Sequence, residues 1–225
     1  MSNLPSTRRG PWDRVPLGIV WMYATHSLMV LVTLFTERIP APSLSDRVVG
    51  MVPFSPFVFR YNFLLWLMGV VPVAIWLWRR DRNRFVNLLY LTGLLNLVRA
   101  VTVSATSLGP VRGPDTTAFF PIEDIPTLWL GIINPFSALM DAVPNQHLTK
   151  DLFFSGHTAI SFLLWLYCRP YPRLRKAALA VHVYVLAIVF LSHIHYTIDV
   201  IGAWAITYSL YVIFEERQRS VTLRS

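Results

Sequence analysis

Two short polar runs interrupt otherwise apolar sequence, and each carries a histidine. One is Ser155-Gly156-His157; the other runs from His195 through Tyr-Thr-Ile to Asp199. A histidine four residues before an aspartate shares a helix face with it once that turn is helical. The carboxylate can then accept the imidazole N–H, fix the tautomer and raise the basicity of the other nitrogen. That is how a nucleophile or a general base is activated. A helix-capping aspartate beside a buried histidine fits the same spacing. Ser155-Gly156-His157 reads as the opening of a helix, where free N–H groups and the positive dipole end favour an anion. Gly156 admits close approach of a phosphate to the backbone, and His157 is placed to protonate a leaving oxygen. The plainer alternative is an N-cap serine followed by an interfacial histidine.

Arg99 is a third candidate. It is the only charge in a long apolar stretch, and ionisable groups at membrane depth are costly enough to imply a task. Its planar fork suits two phosphate oxygens. Lys150 is expected either to help steer an anionic head group or to stand as a solvated loop charge. His193 and His195 form a His-x-His pair, but no cysteine or carboxylate set completes a metal site around them. Neither a metal nor a cofactor is therefore expected. His26 and His182 read as bundle histidines and His147 as a loop residue.

The elements that must position these groups are helices in a membrane. The 225-residue chain is 54% hydrophobic and only 14% charged, against about 25% charged in soluble domains. Apolar stretches long enough to cross roughly 30 Å of hydrocarbon run over 15–36, 61–78 (with Pro72 as an expected kink), 85–108, 152–168, 177–193 and 196–214. The fold class is all-α: a polytopic six-helix transmembrane bundle, with residues 1–225 forming one catalytic domain. The last two spans form one long apolar stretch broken by the polar run near Ser192 to Tyr196, with no Gly or Pro at the joint. The connection from Gly109 to Asp151 is long, with an apolar patch, Leu128 to Phe136, expected to lie on the bilayer surface. The lone Cys168 excludes an internal disulfide.

The net charge of +8 does not point to nucleic acid, because the basic residues cluster in short connections. Arg8, Arg9 and Arg14 precede the first span. Arg79, Arg80, Arg82 and Arg84 lie in the second connection, and Arg169, Arg173, Arg175 and Lys176 in the fourth. Arg217, Arg219 and Arg224 end the chain. The positive-inside rule then places both termini in the cytoplasm. Arginine far outnumbers lysine, as in GC-rich genomes, so a bacterial plasma membrane is the expected address. At about 1.5 Å per residue, Arg99 lies roughly 21 Å across the third span and His195 roughly 27 Å along the fifth. His157 opens the fourth from outside. Arg99, His157, His195 and Asp199 therefore share one level near the extracytoplasmic face.

With these residues in view, Lys150-Asp-Leu-Phe-Phe-Ser-Gly-His-Thr158 and His193-Ile-His-Tyr-Thr-Ile-Asp-Val200 resemble the last two motifs of the sphingomyelin synthase family. That family is a branch of the type 2 phosphatidic acid phosphatase superfamily. The segment from Arg99 to Leu108 resembles its upstream motif. The resemblance implies six spans and an outward-facing His-His-Asp triad. In it His157 is general acid and then base, His195 the nucleophile that forms a phosphohistidine, and Asp199 its orienting partner. It also implies membrane lipids as partners: a phospholipid donor of a phosphorylated head group, and a ceramide- or diacylglycerol-type acceptor. Phe154 stands where the wider superfamily has proline, and Ile194 where the synthase branch commonly has an acid. The expected function is lipid head-group transfer, with Arg99, Ser155, Gly156 and Lys150 on the phosphate. A lipid phosphatase or phospholipase C-like hydrolase is the alternative within the enzyme class. A transporter or a non-catalytic membrane protein is the alternative outside it.

Overall fold

A computed structural model describes residues 11–106, 108–134 and 148–222. Among them every regular element is helical: α1 (Pro11–Glu37), α2 (Arg47–Met51), α3 (Pro56–Arg80), α4 (Arg82–Thr106), α5 (Ile125–Ile133), α6 (Gly156–Cys168), α7 (Pro172–Ser192) and α8 (Thr197–Thr222). A 3-10 turn, Ile122–Asp124, leads into α5. Helices α1, α3, α4, α7 and α8 are long and apolar enough to cross a membrane. They form a polytopic bundle.

The fourth stretch, expected over 152–168, behaves differently. Residues 152–155 are irregular, and α6 begins only at Gly156, where Ser155 Oγ accepts from Thr158 N at 3.3 Å. Its 13 residues make a rod of about 20 Å, short of the hydrocarbon thickness. Irregular backbone at membrane depth is tolerated when protein surrounds it, and Leu152, Phe154 and Ser155 are all buried. Helix α6 packs on α3, α4, α7 and α8. Leu163, Leu164 and Leu166 meet Leu95 of α4, Val185 and Val189 of α7 and Ala203 of α8 in one core. A second core joins Met29, Val30 and Leu34 of α1 to Ala100 of α4 and to Ile125 and Ile132 of α5.

The joint between the last two helices lacks Gly and Pro because His193 does the work. It caps α7 in the left-handed region, φ 50° and ψ 36°, the conformation that ends many helices. Pro72 lies within α3, which is helical on both sides of it. The patch expected on the bilayer surface forms α5, and it packs against α1. Trp129 Nε1 donates to Ser27 O at 2.9 Å, while Leu130 stays exposed. Pro135 and Phe136 at the end of that patch, His147, and the terminal Arg8, Arg9 and Arg224 lie outside the described residues.

Two basic turns share one end of the bundle. Asp81 alone separates α3 from α4, and it accepts from the Tyr171 hydroxyl of the α6–α7 turn at 2.7 Å. Arg80 lies over the Tyr171 ring. The candidate residues lie at the opposite end, where the remaining connections meet.

Candidate active site

Asp199, in the first turn of α8, is fully buried and holds several donors at once. Its Oδ2 accepts from Tyr196 N at 2.9 Å and lies 3.3 Å from His195 Nδ1. Its Oδ1 accepts from Phe153 N at 3.1 Å. Asp199 N in turn donates to Tyr196 O at 3.0 Å. The carboxylate makes one half of a capping box, reaching back to the N-cap N–H, while a backbone bond closes the same turn. The two readings of the His195–Asp199 spacing thus coexist: one carboxylate caps α8 and orients the imidazole. Asp199 O also accepts from Ser155 N at 3.1 Å, which fastens the α6 start to the α8 start.

That fastening brings the histidines together. The His157 and His195 ring centroids are 6.4 Å apart at 62°. Trp66 of α3 meets the His157 ring edge-on at 5.4 Å and donates its indole N–H to His157 O at 3.3 Å. His157 Nε2 is buried without a hydrogen-bond partner. A buried polar atom left unpaired needs an explanation, and an atom that a ligand will pair with supplies one. His193 also lines the cavity, but its Nε2 is engaged with Val52 O at 3.0 Å.

Arg99 is buried beside them, but most of its fork is committed. Its Nη2 pairs with Asp151 Oδ1 at 2.7 Å and its Nε donates to Phe154 O at 3.0 Å. A Cβ at Gly156 would overlap this guanidinium, so the absent side chain makes room for Arg99 itself. Burial alone pushes the Asp151 carboxyl up. The charge of Arg99, with His195 and a hydrogen bond from Arg99, outweighs burial and holds it below the ordinary aspartate value.

Two expected ligands are placed elsewhere. Ser155 Oγ is engaged in capping α6. Lys150 is neither solvated nor on the cavity wall. Its ammonium is buried, pairing with Asp115 at 2.8 Å and donating to Ile39 O at 2.9 Å, while its backbone N donates to Glu37. An ammonium removed from water needs a carboxylate, and Asp115 on the preceding loop supplies it. Lys150 therefore ties α1 to the loops.

A cavity of about 610 Å³ opens between α1, α3 and α4 and the site loops. Its polar end carries Arg99, Asp151, His157 and His195. Much of the remaining wall is apolar, with Met22, Val30, Phe63 and Ile160 among the lining residues. Asp199 lies behind His195 and does not line it. Sequence reasoning missed Asp151, Arg112 and Trp66 as lining residues and read His26, which also lines the cavity, as an ordinary bundle histidine. Asp151 had a signal, its place four residues before Ser155; Arg112 had none. This arrangement sets two imidazoles, one of them backed by a carboxylate, at the end of a largely apolar space.

Residues 150–216 match the family model described as PAP2 superfamily C-terminal, a stretch that includes both histidines and Asp199. The chain is 28% identical to phosphatidylcholine:ceramide cholinephosphotransferase 2 of Rattus norvegicus over 226 residues, covering 91% of this chain and 61% of the relative. The chain is thus similar to sphingomyelin synthases and, over residues 150–216, to the PAP2 superfamily. The Homo sapiens phosphatidylcholine:ceramide cholinephosphotransferase 2 is similar at 27% identity, over 90% of this chain and 60% of the relative. Sphingomyelin synthase-related protein 1 of Mus musculus is 28% identical, over 84% of this chain and 41% of the relative. The chain spans about 60% of the length of the first two relatives. The likeness to these relatives extends beyond the family-model stretch to most of the chain.

Proposed function

We propose that residues 1–225 form one membrane-integral catalytic domain that transfers a phosphorylated head group between lipids through a phosphohistidine. The observation that carries this reading is the pairing of His195, oriented by Asp199, with the unpaired Nε2 of His157 at the end of a largely apolar cavity.

In the first step the phosphodiester of a glycerophospholipid lies at the polar end of the cavity. Asp199 holds Nδ1 of His195, so Nε2 attacks phosphorus. The bond from phosphorus to the diacylglycerol oxygen breaks, and His157 gives that oxygen its proton. In the second step a ceramide- or diacylglycerol-type alcohol gives its hydroxyl proton to His157. Its oxygen attacks phosphorus, and the phosphorus–nitrogen bond breaks to restore His195. Arg99 lines the cavity; Asp151 and Phe154 O hold its Nη2 and Nε, which leaves Nη1, packed against Gly156, for the phosphate. Ser155 and Lys150 act by holding the loops that carry these groups. Relatives named for a phosphatidylcholine:ceramide cholinephosphotransferase activity support the same reaction class.

The basic turns and the site lie at opposite ends of the bundle. By the positive-inside rule the turns and both termini face the cytoplasm and the site opens on the other side, in our reading across a bacterial plasma membrane. The apolar lining favours a lipid alcohol over water as acceptor. The test is to supply labelled phospholipids to the purified protein with and without ceramide and diacylglycerol. Label should move onto the acceptor as diacylglycerol is released. Label reaching only a water-soluble product, whatever the acceptor, would establish a hydrolase instead. Equal rates for wild type and His195→Ala would end the phosphohistidine mechanism.

A further inference from the structure

Selection of the head group depends on the charges it meets beyond the phosphate. The described cavity wall carries three formal charges: Arg99, Asp151 and Arg112. Arg99 and Asp151 cancel in a 2.7 Å ion pair. No carboxylate among the described residues pairs with Arg112. Its guanidinium lies 3.6 Å from the centroid of the Phe54 ring, and Phe54 meets His193 edge-on at 5.5 Å. Ile194, between His193 and His195, also lines the cavity and adds no charge.

Arg112 is held near the reacting groups by its backbone. The hydroxyl of Tyr196, the residue after His195, reaches Gly109 O and Pro110 O at 3.1 Å each. Ser43 Oγ donates to Pro110 O at 2.8 Å. The loop is thus clamped beside His195 two residues before Arg112.

A cationic head group is held best by a free carboxylate, with aromatic faces such as those of Tyr23 and Phe59 on this wall as a weaker aid. The cavity carboxylate is neutralised by Arg99. The Phe54 face already carries a guanidinium. Trp66 lies between Phe63, stacked on it, and the His157 ring. Arg112 would also repel an ammonium, whereas it can donate to phosphate oxygens and polyol hydroxyls. We propose that Arg112 sets donor choice at this site, favouring phosphodiester lipids whose head group beyond the phosphate is an uncharged polyol, such as glycerol or inositol, over choline or ethanolamine. This rests on the transfer reading above and specifies its donor class.

The test measures binding separately from turnover. Labelled phosphatidylglycerol, phosphatidylinositol and phosphatidylcholine are titrated in detergent micelles against full-length protein carrying His195→Ala, which blocks turnover. The polyol lipids should bind about tenfold tighter, the scale of one charge-assisted contact. Adding Arg112→Glu should abolish or invert that preference, and Arg112→Lys should retain much of it. Arg60→Glu, the same charge change outside the cavity, should leave it in place and so separates site selection from the general pull of a basic protein on anionic lipid. Phosphatidylcholine binding as tightly as the polyol lipids would overturn the inference. So would a ratio that moves equally with Arg60→Glu and Arg112→Glu. Turnover by the wild type is read in parallel: selective binding without head-group release refutes transfer and leaves the selection standing.

Discussion

His182 and His157 stand on adjacent packed helices, α7 and α6, in opposite hydrogen-bonding situations. His182 has both nitrogens engaged. Trp204 Nε1 of α8 donates to its Nε2 at 2.9 Å, so the proton lies on Nδ1, which is 2.9 Å from Ser161 Oγ. Ser161 then donates to Thr158 O at 3.1 Å. This chain of bonds joins α8, α7 and α6 and ends one residue from His157. His157, which lines the cavity at the same helix start, has its Nε2 unpaired. A polar group satisfied within the fold is scaffold; one kept unpaired beside a cavity is kept for something that arrives. The first histidine helps fix the position of the second.

The contrast can be broken at several strengths. The largest effect belongs to His195→Ala. Head-group release should fall at least about 10³-fold while the thermal unfolding midpoint stays near wild type, measured side by side on one preparation. His157→Gln should cost about 10² to 10⁴-fold. The loss should shrink with a nitrophenyl phosphodiester, whose leaving group needs no proton. A uniform loss across both donors would assign His157 a structural role.

The opposite pattern is expected on the other side of the comparison. His182→Leu leaves the Trp204 indole N–H without its acceptor and Ser161 Oγ without its histidine partner, and should lower stability by roughly 1–3 kcal/mol, with turnover per folded molecule preserved. Loss of turnover without loss of stability would erase the distinction between the two histidines.

The smallest effect is the acid response of the Arg99–Asp151 pair. The Asp151 carboxyl lies below its ordinary value in the folded protein. Its contribution is therefore complete above the unfolded aspartate pKa of about 3.9, and it fades as pH falls through the lower folded value. Asp151→Asn should be less stable than wild type at neutral pH, and the gap should narrow as the medium is acidified. A gap that stays constant down to the acid limit would show that the carboxylate charge contributes nothing.

The six helical stretches were legible because apolar length is a strong signal. So was the common level of Arg99, His157, His195 and Asp199, since rise per residue converts sequence position into depth. What escaped was pairing between distant segments. Arg99 advertised a buried charge, but its partner Asp151 comes from an irregular loop, and no periodicity predicts which way a loop carboxylate turns. Lys150 was misjudged for the same reason: it sits beside a motif in sequence, yet its ammonium turns towards Asp115. Gly156 signalled close approach correctly in kind, while the group that approaches is a side chain of the protein. The short start of α6 was hidden because Leu152, Phe153 and Phe154 are as apolar as any helix.

The Tyr196 hydroxyl grips the loop before Arg112 by its carbonyl oxygens, which any sequence offers. Gly109 is fixed, because a side chain there would collide with the backbone of Ala41 and Pro42. Positions 111 and 112 make no comparable demand on side-chain identity, whereas Gly113, at φ 79°, favours glycine. Substitutions at those two positions can accumulate without loosening the loop or disturbing the histidines, so related chains can diversify their donors by drift in two residues while inheriting the reaction unchanged.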